Sequence, residues 1–167
     1  MRSALARRCV ALLAVAAVAA AVASGAAVAS SHDATIAVEN GTAAPDGTAD
    51  LSVAVDRAPA GLSGFDVTLT VADGSVARVE DASVAPPLGD VANVSVSDDG
   101  TTVRIAGIDG TDAVGENAGD VRLATVTLRG EAAGETRLAV GTVHALQSDG
   151  GDPVAAQTTS GTLTVEE

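Results

Sequence analysis

The chain has 167 residues, with nine arginines, no lysine and 22 acidic residues, a formal net charge of −13. Phe65 is its only aromatic residue and Cys9 its only cysteine. These numbers exclude a nucleic-acid ligand, which needs Lys or Arg clustered against phosphates, a disulfide framework, and a sugar platform of stacked aromatic rings.

Residues 1–29 read as a secretory signal peptide. Arg2, Arg7 and Arg8 make a basic start, Val10 to Ala23 is an apolar run of Ala, Val and Leu, and Ala27-Val28-Ala29 is a small-x-small cleavage site. The alternative is an uncleaved membrane anchor, since the stretch from Val10 to Ala29 is long enough to span; it is Ala-rich, however, and Ser24-Gly25 interrupts it. Residues 30–167 are then expected to be one secreted domain with a single core. Beyond residue 29, six arginines face all 22 acidic residues, a net charge of −16. Self-repulsion of that size works against a compact state in dilute salt. In molar salt the Debye length falls to roughly 3 Å and the repulsion is screened. This Asp-rich, lysine-free composition resembles that of secreted haloarchaeal proteins, and solvation in brine accounts for the acidity without a binding site.

From residue 34 on, short apolar runs between turn signals predict an all-β fold. We expect an antiparallel sandwich of about nine strands, of the jelly-roll or immunoglobulin-like kind, preceded by the signal helix. The expected strands are 34–38, 49–56, 64–71, 76–80, 91–97, 101–106, 121–129, 135–140 and 161–165. Asn40-Gly41 and Pro45-Asp46-Gly47 separate the first two. In the third, Phe65, Val67, Leu69 and Val71 alternate with Asp66, Thr68 and Thr70, which predicts a half-buried strand with its odd-numbered residues inside. Asp98-Asp99-Gly100 closes a tight hairpin, and the Gly- and Asp-rich stretch 107–120 is a long loop. The core must be built from Val, Leu, Ile and Ala around one phenylalanine.

Little in the chain suggests catalysis. His32 and His144 are its only histidines, and neither has a neighbour that suggests a triad. Acidic residues are too abundant for any pair to stand out as a hydrolytic couple. Asp109, Asp112, Glu116 and Asp120 gather oxygen ligands in one loop, and Asp149 and Asp152 in another, as calcium would favour. Neither matches an EF-hand loop, so they read as solvated acidic loops and no metal ligand or cofactor is assigned. Two sequons, Asn40-Gly41-Thr42 and Asn93-Val94-Ser95, are candidate glycosylation sites in an exported protein.

The segment Gly61-Leu62-Ser63-Gly64-Phe65-Asp66 and the strand after it resemble the third strand of cohesin domains. Flanking runs fit the same pattern. Thr48 to Val55 is similar to the second strand, Ser75 to Val79 to the short strand that follows, Gly100 to Ala106 and Val121 to Leu128 to later strands, and Gly161 to Val165 to the closing one. One departure is Val71-Ala72-Asp73-Gly74, where the family usually has an aromatic-Asp-Pro step. Another is Gly64, where a polar residue often stands.

The resemblance implies a non-catalytic module that docks a dockerin-like protein through a polar sheet face. Asp66, Thr68 and Thr70 would be the contact set, joined by Ser95 and Arg104, with any calcium carried by the partner. The alternative is a carbohydrate-binding or cell-surface adhesion module linked to polysaccharide breakdown, and a third reading is a structural subunit of a surface layer.

Overall fold

The computed structural model describes residues 34–167; the expected signal segment and His32 lie outside the described residues. The described residues belong to one compact unit. It has eleven strands: β1 (Ala34–Val38), β2 (Gly41–Ala43), β3 (Thr48–Ala58), β4 (Gly64–Val71), β5 (Ala77–Val84), β6 (Val91–Val96), β7 (Thr102–Ile108), β8 (Ala118–Gly130), β9 (Gly134–Gln147), β10 (Ala156–Thr159) and β11 (Gly161–Val165). They form a five-stranded sheet in the order β10-β1-β3-β8-β5 and a six-stranded sheet in the order β2-β11-β9-β4-β7-β6.

The two sheets pack through their alternating apolar faces. Ile36, Leu51, Val53, Val55, Leu123 and Leu128 from the first, and Leu69, Ile105, Leu138 and Leu163 from the second, are fully buried. On β4 the expected phase holds. Phe65, Val67, Leu69 and Val71 are interior, Asp66 and Thr68 are half-buried on the other side, and Thr70 is exposed. Each buried Val or Leu contributes about 1.5–3 kcal/mol, so an almost wholly aliphatic core is built from many modest terms.

Two expectations need correction. The sandwich has eleven strands rather than nine, and it is not antiparallel throughout. β1 pairs with β10 in parallel, and so does β11 with β2. The missed strands, Gly41-Thr42-Ala43 and Ala156-Gln157-Thr158-Thr159, are too short and too polar to show a period of two. Both lie at sheet edges, where one ladder of backbone hydrogen bonds, not a buried face, fixes the strand.

The turns use their side chains locally. In the β6–β7 hairpin, Asp99 Oδ1 accepts bonds from Ser97 Oγ at 2.5 Å and from the Thr101 amide at 3.0 Å. Gly100 supplies the left-handed backbone there, at φ 66°.

Candidate functional site

The wet face of the six-stranded sheet is assembled by register. On β4 and β7, Asp66 lies opposite Ala106 and Thr68 opposite Arg104. On β6, Asn93 faces Ala106 and Ser95 faces Arg104. Asp66, Asn93, Ser95, Arg104 and Ala106 therefore converge, and they line a depression of about 320 Å³. Three of the five residues expected to form the contact set, Asp66, Ser95 and Arg104, meet there; Thr68 and Thr70 lie beside it along β4.

Asp66 and Arg104 are diagonal neighbours across β4 and β7, within reach for long side chains. Arg104 Nε donates to Asp66 Oδ1 at 2.9 Å and Nη2 to Oδ2 at 2.6 Å. This is a two-pronged pair with geometric specificity. The guanidinium bond holds the Asp66 carboxyl below its ordinary value against the opposing effect of burial, and Arg104 is raised in turn. The Asp66 side chain retains 22% of its accessibility and that of Arg104 56%, so the pair is presented to solvent.

Sequence reasoning left His144 out of the site. It has reached the face through irregular pairing. The β4–β9 register steps from Asp66–Ala145 to Val67–Val143, and from Thr68–Thr142 to Leu69–Val140. Residues 144 and 141 are thus extra, as in β-bulges, which re-aim side chains. His144 Nε2 lies 3.0 Å from Thr68 Oγ1, so the expected contact residue Thr68 is tied to the histidine. A trace of this is in the sequence. The apolar residues Leu138, Val140, Val143 and Leu146 lose the period of two after Val140.

An apolar margin adjoins the depression. Val91 of β6 pairs with Ile108 of β7, and they are 63% and 50% exposed. Gly64 lies beside them, and a Cβ there would stand 3.1 Å from the Gly107 carbonyl oxygen and 3.6 Å from Ile108 Cγ1.

The acidic loop after β7 is organised by its own backbone. Asp109 is buried, and its carboxylate accepts bonds from Thr111 N and Oγ1 and from the Val114 amide. Burial pushes its pKa up, but these bonds outweigh it and hold the carboxyl below its ordinary value. Among the described residues no three His, Cys, Asp or Glu side chains gather closely enough to hold a metal ion. The only aromatic ring, Phe65, is buried in the core and offers no stacking surface. Of the two candidate glycosylation sites, Asn93 lines the depression, and Asn40 accepts a bond from the Thr162 amide through Oδ1 at 2.8 Å.

No protein-family model matches the chain, and no curated protein matches it in sequence. Solved structures do. A chain of the Coh-OlpA–Doc918 type I cohesin–dockerin complex from Clostridium thermocellum superposes with a TM-score of 0.68 over 80% of this chain and 99% of that one, at 12% identity. The chain has the cohesin fold. The sixth cohesin of Acetivibrio cellulolyticus scaffoldin B, solved in complex with the Cel5 dockerin, gives a TM-score of 0.67 at 18% identity over 80% and 99% of the two chains. The non-cellulosomal cohesin of the hyperthermophilic archaeon Archaeoglobus fulgidus gives 0.63, also at 18%, over 80% and 91%. The cohesin fold is thus kept here with almost no aromatic residues and at very low identity.

Proposed function

We propose that residues 30–167 are an exported, non-catalytic docking module that binds a dockerin-like protein through the β9-β4-β7-β6 face. The observation that carries this is the depression where Asp66, Arg104, Ser95 and Asn93 converge on that face, in a fold that several neighbours display in complexes with dockerins. The bidentate Asp66–Arg104 pair offers a partner both an acceptor and donors at fixed positions. Val91 and Ile108 offer apolar area next to it. A helical module can lay a few side chains across such a surface. Any calcium belongs to the partner.

The test is titration of this protein with dockerin modules encoded in the same genome, in molar NaCl with calcium. Binding is expected, and Asp66→Arg, which sets two guanidinium groups side by side, should weaken it at least tenfold. Unchanged affinity in that variant would remove the face from the interaction. Retention on insoluble polysaccharide without any dockerin would favour the sugar reading, for which no exposed ring speaks.

A further inference from the structure

We propose that Asn93 is an N-glycosylation site, and that its glycan covers the β6 end of the wet face and so controls access to the depression. The second half rests on the docking reading above; the assignment of the modified residue does not.

The chain has two sequons, and the fold separates them. Asn40 is engaged through Oδ1 with the Thr162 amide. Its neighbour Gly41 lies over the core, where an added Cβ would stand 2.9 Å from the Leu51 side chain and 3.5 Å from that of Leu163. Lifting 40–42 into an enzyme would uncover both leucines. The Asn93 sequon is differently placed. β6 is the outermost strand of its sheet, bonded only to β7, and all six of its residues are exposed. Asn93 and Ser95 are two apart on a strand, so the acceptor amide and the hydroxyl that defines the sequon project on the same side. Both line the depression.

A second observation concerns the edge itself. Exposed edges are normally protected by shortness, charge or bulges. β2 has three residues and β10 four polar or small ones. β5 carries Arg78, Glu80 and Asp81 and a register shift between Val79 and Asp81. β6, Val-Ala-Asn-Val-Ser-Val, has no charge, and Val91, Val94 and Val96 are three of the four large apolar side chains exposed among the described residues. The protection missing from this edge is what a bulky, solubilising glycan supplies.

The co-reactant is an oligosaccharide activated at C1 on a polyprenyl phosphate or diphosphate. Asn93 Nδ2 forms the bond to C1 as the C1–O bond to phosphate breaks. The lipid phosphate leaves with the bonding pair, the amide nitrogen gives up one proton, and nothing is oxidised or reduced. The first sugar would then stand in the depression beside Asp66 and Arg104.

Full-length protein recovered from its own host can be cleaved after arginine and weighed. Asn40 then falls on the peptide ending at Arg57 and Asn93 on Val79–Arg104. A glycan increment is expected on Val79–Arg104 alone, and it should vanish in Asn93→Gln and in Ser95→Ala, which keeps the asparagine. An unmodified Val79–Arg104 peptide, or a glycan on Asn40 alone, overturns the assignment. Wild-type protein made without the transferase should bind the dockerin module at least tenfold more tightly than the glycosylated form. Equal binding overturns the masking. If neither form binds, the docking reading and the masking both fail, and the mass still decides the modified residue.

Discussion

Arg104 fixes the orientation of Asp66, the most informative side chain on the wet face, and this makes the carboxyl a reporter of the pair. Its folded pKa lies below the ordinary 3.8. The pair's contribution to stability is therefore complete above that ordinary value and is lost as pH falls through the lowered one. In Arg104→Gln the Asp66 carboxyl should titrate at higher pH, as followed by carbon NMR of the side chain. The variant should be less stable than the parent at neutral pH, and the gap should close as pH falls through the lowered value, because in the variant Asp66 has no partner left to lose on protonation; an unmoved titration would mean that the two groups are not paired in solution. Asp99 behaves alike for a different reason. Ser97 and Thr101 hold its carboxyl down at about 2, so the β6–β7 turn keeps its bonds over most of the acid range. At this scale strand parity marked Asp66, Ser95 and Arg104 as outward, and the resemblance to cohesins implied that their strands share a sheet, as β4, β7 and β6 do. The sequence was not legible for His144, whose position depends on two irregular pairings with β4.

At the scale of elements, β4 is the test of the whole arrangement, because it is paired on both sides, with β7 and β9. Leu69 is fully buried and Thr70, its neighbour, is exposed. Leu69→Ala should cost about 2–5 kcal/mol, and Thr70→Ala less than about 0.5 kcal/mol, measured by urea unfolding at fixed NaCl. Similar costs at the two positions would contradict the parity of the strand. The boundaries of β4 and β11 could be read from sequence because alternation is uninterrupted in both and a glycine, Gly64 or Gly161, opens each. β8 and β9 extend past their expected ends, to 118–130 and 134–147; in β9 alternation breaks at the two irregular pairings although pairing continues. β2 and β10 left no pattern to read.

For the whole molecule, charge and core act against each other. A core of Val, Leu, Ile and Ala with one Phe must hold together a chain with a net charge of −16 beyond residue 29. Native domains are stable by only about 5–15 kcal/mol, so screening is expected to matter. The melting temperature should rise between dilute buffer and molar NaCl, in calorimetry at neutral pH. A melting point independent of salt would show that the acidic side chains are far enough apart not to oppose folding. The acidity was plain from composition, and so was the sandwich class. How the first and last described strands pair was not.

Those strands run side by side. The first ten described residues pass from one sheet to the other as β1 and β2, and residues 156–165 do the same as β10 and β11, paired in parallel at both stages. Ala34 lies beside Ala156 and Val165 beside Ala43, so Ala34 and Val165 are at opposite tips of this ribbon. A pull through both ends would slide one segment along the other and load their hydrogen bonds together instead of unzipping them singly. Strands paired this way resist tension along their length.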